Sequence, residues 1–457
     1  MILNYVDKNS YFYLLCNPEL TSEMINETQN INRYFIFFLV LPFLATVLQG
    51  QEYEAGNGII HDRIYKESIK SVLFHRAGWE LTYPIIELGS NDQVCLSFDD
   101  LADEVKEYSY TLIHCDANWR PSSIPKVEYL EGFTDNRFTD HALSFNTYFN
   151  YVHYNLLLPN NDVHFKISGN YILKVFEDFN EDSVIMTKRF AVSESVISIR
   201  AEIKRPVIQP FMDTGHEISF SILYGNLPVY DPYSEIQVTV CQNNRWNLAI
   251  KDLKPLFFKD GVLEYTDQSE NILPGGNEYR YFDIKSLRYQ TEYVKNIEFI
   301  YPYYHVELFP DKLRSGKVYF YNDDINGRYV IDIQEGKKKD IEADYVYVHF
   351  TLPYDVPLTD GNVYVFGALT NWSVKESNKM EYNFDRKAYE LTMLLKQGYY
   401  NYEYVLVSER SPVIDAFFFE GSHYETENDY IIYAYYRTNN SRYDRLVGYQ
   451  IVNSVRK

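Results

Sequence analysis

Short stretches in which apolar and polar residues alternate recur along the whole chain, separated by clusters of Asp, Asn, Pro and Gly. A period of two places alternate side chains on opposite faces, so each stretch reads as a strand with one face toward a core. In QVCLSF, Val94, Leu96 and Phe98 face one way, and Cys95 and Ser97 the other. In YSYTLIHC, Thr111, Ile113 and Cys115 oppose Tyr110, Leu112 and His114. The pattern continues through SGNYILKVFED, ISFSILYG, EIQVTVCQN, DYVYVHFTLP, GNVYVFGALTNWSV, GYYNYEYVLV and DYIIYAYYR. Strands recurring at about ten-residue spacing predict β-sandwiches. The expected fold is all-β, with three consecutive sandwich-like domains at 51–195, 196–340 and 341–457, after a leader at 1–50.

Composition sharpens this picture. The chain has 45 Tyr and 29 Phe, and aromatics make up 17% of its 457 residues, which favours strands over helices. Tyr suits half-exposed strand faces because its ring packs while its hydroxyl stays wet. A formal charge of −21 disfavours nucleic acid and anionic lipid as partners. The plainer reading of that acidity is solubility of a Tyr-rich β protein.

Arg33 is followed by YFIFFLVLPFLATVLQG, an apolar run of signal-peptide length that is short for a membrane span. It predicts a secretory leader cleaved near Gly50, with translation from Met1 or Met24; an uncleaved anchor is the competing reading. Cys95, Cys115 and Cys241 follow the leader, and an odd number is not a disulfide framework. Cys95 and Cys115 lie on successive predicted strands, so pairing and simple burial both stay open.

Candidate chemistry is thin. His114-Cys115-Asp116 has the residue types of a nucleophilic or metal site, but neighbours on a strand point to opposite faces. Structural roles are expected for them. CxxC, HExxH, GxSxG and P-loop motifs are absent from the sequence. Asp99-Asp100 and Asp323-Asp324 are paired carboxylates, but adjacent acids cannot flank a cleft as glycosidase acids do. NDDING at Asn322 to Gly327 lacks the downstream Glu of a calcium loop and reads as a turn. The expectation is a non-enzyme with no catalytic residue, cofactor or metal.

The strings FDDL, HCDANW, EGF, SFNT, YVHY, LPN and SGNY, between Pro84 and Phe190, together resemble the N-terminal domain of type IX secretion system plug proteins. This is a Bacteroidetes family long catalogued as a domain of unknown function. EGSHYETENDY and RYDRLVGYQIVNS resemble it again, so the likeness runs from about residue 68 to about 452. The resemblance implies a soluble periplasmic protein at the inner face of the outer membrane. It would bind the very wide translocon β-barrel and seal its periplasmic opening. Candidate contacts are Trp119 and Arg120 in NWRPSSIP, and Glu420, His423, Tyr424 and Glu425 in EGSHYETEND.

GALTNW followed by GYYNYEY resembles early-set, immunoglobulin-like modules related to a glycogen-binding carbohydrate module. There Asn371 and Trp372 match the position of a sugar-stacking Trp and its polar neighbour. The second aromatic platform is not evident in SERSPVIDAF. A periplasmic glycan-binding protein is therefore the alternative reading.

Overall fold

The computed structural model describes residues 58–455, apart from 103, 226, 260, 267–268 and 409. The expected leader and its cleavage point lie outside the described residues. Everything described belongs to one compact unit, and its regular structure is almost entirely β.

The first sandwich forms as the alternation predicts. One sheet runs Arg63–Ile64, Val184–Ser193, Gly169–Glu177, Tyr108–Cys115, Asp135–Arg137, with Ile85–Glu87 added in parallel to Val184–Ser193. The other sheet runs Ile69–Arg76, Val94–Asp100, Val152–Leu158, Asp140–Leu143. Val94, Leu96, Phe98, Tyr110 and Leu112 meet in the core between them. Phe98 stacks on Tyr154, and Tyr108 meets both rings edge-on, so aromatic geometry as well as buried area fixes the packing.

The second and third sandwiches exchange sequence. The expected split at residue 340 is therefore corrected by the strand pairing. Ile236–Gln242 pairs with Asp429–Tyr436, which pairs with Arg445–Asn453, so the end of the chain returns to the second sandwich. Its other sheet runs Ser198–Lys204, Gly215–Leu223, Val262–Tyr265, Phe257–Lys259. The third sandwich takes Arg280–Asp283 and Tyr329–Ile331 from the expected middle segment and pairs both with Gly398–Ser408. Its second sheet runs Val294–Ile300, Tyr303–Leu308, Tyr345–Pro353, Ala388–Lys396, Glu381–Asn383. Each sandwich has its own apolar core. The alternation in each strand determines which face is buried, but not which distant strand becomes its neighbour.

A fourth cluster, with Cys115, Trp119, Ile172 and Ala191 from the first sandwich and Cys241, Trp246, Ile431, Tyr433 and Leu446 from the second, lies between the two. Gly169–Glu177 is consequently buried along nearly its whole length, on both faces.

Candidate functional site

The conspicuous chemistry of this chain sits where sandwiches meet. Asp99 of FDDL is fully buried. Its Oδ2 accepts from Lys396 Nζ at 2.6 Å and from the Tyr345 hydroxyl at 2.7 Å, and its Oδ1 accepts from His153 Nδ1 at 2.7 Å. Lys396 and Tyr345 belong to the third sandwich. Burial pushes the Lys396 ammonium below its ordinary pKa, and the Asp99 charge acts against that. The ammonium also lies 4.1 Å from the centre of the Tyr151 ring. The Tyr151 hydroxyl donates to the Ala343 carbonyl at 2.8 Å, and Tyr329 donates to the Val72 carbonyl at 2.9 Å. A buried pair in which both carboxylate oxygens meet donors sets geometry more than it adds net stability. Here it fixes how the first and third sandwiches dock.

HCDANW does the same for the first and second sandwiches. Asp116 Oδ1 accepts from the Asn118 and Arg120 amides at 2.8 and 2.9 Å, curling the loop. That places Trp119 edge-on to Trp246 with centroids 4.8 Å apart, under the Arg189 guanidinium. The Ala117 amide donates to Asp444 Oδ2 at 2.8 Å, and Tyr435 donates to Asn170 Oδ1 at 2.9 Å. His114 and Cys115 point to opposite faces as expected. His114 contacts Ser122 Oγ at 2.6 Å and the Ser168 carbonyl at 3.1 Å. Burial lowers its pKa to about 4, and the Ser168 carbonyl acts against that. Cys115 lies in the inter-sandwich cluster, where burial pushes its thiol up, away from nucleophilic character. Cys95, Cys115 and Cys241 are all free thiols. Among the described residues no group of three or more His, Cys, Asp or Glu is arranged to hold a metal. Gly169 of SGNY has φ +140°, and a Cβ there would collide with the His114 ring.

Carboxylates gather where the second and third sandwiches join. Burial alone would raise Glu420, but Arg280 and Arg314 hold it at about 2. Glu278 is 1% exposed, and its Oε2 has no hydrogen-bond partner among the described residues. Burial raises it to about 7 against hydrogen bonds from the Tyr319 hydroxyl and the Glu427 amide, with the Asp324 and Glu427 charges adding to the rise.

The expected contact residues divide accordingly. Trp119 is 1% exposed and Glu420 is 2% exposed, so neither presents a surface to a partner. This corrects the expectation for both; each is used up inside an internal junction. Arg120 and Glu425 are exposed, and His423 and Tyr424 half-buried. Tyr424 carries the Arg205 guanidinium 4.2 Å from its ring centre. Asn371 and Trp372 both have left-handed backbone on a tight turn. The Trp372 ring has Arg245 4.8 Å from its centre and Tyr279 and Phe366 against it edge-on. A pyranose would have to displace that guanidinium from the face it covers.

A different surface holds exposed aromatics. Tyr148 is 53% and Tyr301 87% exposed, with Phe299 against both rings, and Phe145, three positions before Tyr148, is 66% exposed. Tyr148 packs on Phe299 at 4.9 Å and on Tyr304 at 5.6 Å, joining the 144–149 loop to the Val294–Ile300/Tyr303–Leu308 hairpin. Asp344 pins that loop by accepting from the Tyr148 and Phe149 amides at 2.8 and 3.1 Å. Contiguous exposed aromatic area marks an interaction surface. The signal was present in SFNTYFN and IYPYY, where aromatics crowd into turns instead of alternating along a strand.

An all-β body of three interlocked sandwiches, with its polar chemistry spent on internal junctions and an aromatic ridge outside, defines the class of the protein. The family model for the type 9 secretion system plug protein 1st domain matches residues 69–194. A crystal structure of a hypothetical protein from Parabacteroides merdae ATCC 43184 is similar at 39% identity and TM-score 0.83, over 86% of this chain and 99% of that one. No curated protein matches. The chain belongs to the type IX secretion system plug protein family.

Proposed function

We propose that this protein binds the periplasmic opening of the type IX outer-membrane translocon barrel and seals it without catalysis. Family membership supports a role in type IX secretion. The observation that carries the finer reading is the buried Asp99–Lys396 lock together with the Trp119–Trp246 cluster. A wide pore is closed by a body that keeps its shape, and these junctions tie the first sandwich to both of the others. The Phe145, Tyr148, Phe299 and Tyr301 ridge is the proposed contact, since aromatic rings give large contact area at small entropic cost. The protein then acts in the periplasm against the inner face of the outer membrane. Replacing Phe145, Tyr148 and Tyr301 together with Ser should leave the protein folded. It should end co-purification with the barrel and make the outer membrane leak large solutes in cells that retain the translocon. Unchanged permeability after deletion of the gene, in cells with an intact and idle translocon, overturns the sealing function. Retained co-purification of the folded triple variant overturns only the ridge assignment.

A further inference from the structure

Although acidic residues outnumber basic ones 64 to 43, cations converge on one cleft between the first and third sandwiches. The cleft encloses about 720 Å³ and is lined by Arg63, Lys66, Lys70 and Lys375. Asn371 lies in its wall and also in that of an adjoining cavity of about 230 Å³, where Lys188 sits. Lys66 is paired with Glu177. Among the described residues no carboxylate lies within ion-pair distance of Arg63, Lys70, Lys188 or Lys375, a sharp contrast with the paired Arg and Lys residues of the junctions. Lys188 donates to Asn371 Oδ1 at 3.3 Å and Lys375 to the Ile64 carbonyl at 3.0 Å, both uncharged acceptors. Glu67 and Glu376 also line the cleft, but Glu376 is turned to Lys379 at 3.6 Å.

These cations repel one another. Burial lowers Lys375, and Arg63, Lys70 and Lys188 add to the lowering against Glu67; burial also lowers Lys70. Glu67 acts against the lowering of Lys70 and Lys375, and Asp62 against that of Lys188, but neither carboxylate is ion-paired with them, so a ligand is a natural source of further compensation. The backbone points the same way. The strand Ile69–Arg76 has its register broken between Lys70 and Leu73, and Ser71 there has φ 48°. A bulge of this kind re-aims a side chain, and strained non-glycine backbone clusters at functional sites.

We propose that the cleft binds a compact multivalent oxyanion, a small molecule bearing phosphate or carboxylate groups, held by Lys70, Lys188, Lys375 and Arg63. The ammonium groups supply charge, and the Asn371 amide at the shared wall supplies a neutral donor. The site is independent of the sealing function.

The test is calorimetric titration of the purified protein at low ionic strength with inorganic phosphate, pyrophosphate and citrate in turn, with sodium chloride at matched ionic strength as control. Saturable one-site binding of at least one anion is expected, weakened at least tenfold in the double variant K70Q/K375Q and unchanged in K254Q, whose lysine lies on the second sandwich. Phosphate or pyrophosphate binding without citrate binding assigns a phosphate ligand, and the reverse a carboxylate ligand. Lack of saturable binding with all three anions overturns the proposal. So does equal displacement by chloride, or unaltered binding in the folded double variant. If the double variant does not fold by circular dichroism, K375Q alone is held to the same criterion, because the Lys375 side chain, though partly covered, reaches solvent at the cleft rim.

Discussion

Lys396→Met tests the central junction most directly. The substitution keeps the length and most of the volume of the side chain but removes the charge 2.6 Å from Asp99 Oδ2. Asp99 is fully buried and Lys396 is 1% exposed, so the pair is shielded from solvent. Removing one partner of such a pair leaves an uncompensated charge and costs roughly 3–5 kcal/mol. His153 and Tyr345 still donate to Asp99, which places the expectation near the lower end, at about 3 kcal/mol. The double variant Asp99→Asn/Lys396→Met leaves no buried charge behind. It should recover part of the loss, with a coupling of roughly 1–3 kcal/mol. Urea unfolding gives the totals. Amide hydrogen exchange locates the effect, because the Tyr148 and Phe149 amides donate to Asp344 across the same junction. Both amides should exchange roughly a hundredfold faster in Lys396→Met while the core of the second sandwich is unchanged. A single-variant cost under about 1 kcal/mol, or strict additivity of the two substitutions, would refute the claim that this pair sets the docking of the two sandwiches.

Two further predictions concern the other junctions. Glu278 has a folded pKa of about 7 against an ordinary 4.5, so the folded state holds its proton more tightly than the unfolded state. Its contribution is complete below pH 4.5 and is lost as pH rises through 7, by up to roughly 3 kcal/mol; Glu278→Gln should flatten that part of the stability–pH profile in urea titrations at pH 5, 6, 7 and 8, and a parallel profile in the variant would exclude Glu278 as its source. Trp119→Ala should cost about 3–5 kcal/mol by emptying the space beside Trp246, with limited proteolysis then separating the first sandwich from the rest; a cost under about 1 kcal/mol would mean the loop is not a packing element.

Much of the fold was legible because strand alternation is a local signal. Val94, Leu96 and Phe98 face the core as their spacing requires. Pairing is not local. Nothing in DYIIYAYYR says that it crosses the third sandwich's sequence to sit beside Ile236–Gln242. The hint was its two aromatic faces, since a strand apolar on both sides needs two covers, and the second cover is the first sandwich. Trp119 and Glu420 were misplaced for a related reason. In a loop sequence, Trp or Glu reads as exposed, but burial of a loop depends on what other part of the chain lies over it. The Asp344 pin on the 144–149 loop involves residues almost 200 positions apart and has no sequence signature.

The strings that carry the family likeness fall largely on internal junctions, and this changes where a partner surface should be sought. FDDL supplies Asp99, HCDANW supplies Trp119, YVHY supplies Tyr151 and His153, and EGSHYETENDY supplies Glu420, Glu427 and Asp429. Each of these acts on another part of the same chain. Such residues answer to the geometry of the assembled body, so their spacing reports how the sandwiches dock and carries no information about what the body touches. A partner reads only what remains outside. Among the exposed apolar side chains of this protein, those around Tyr148 and Tyr301 form the proposed ridge, where rings are exposed although nearby backbone is firmly held. Rigid support under exposed aromatics is the arrangement that lets contact area become affinity, because little side-chain or loop freedom is left to lose on binding. On the proposed reading the junctions and the ridge form one device, in which the buried charges hold still the surface that the exposed rings present.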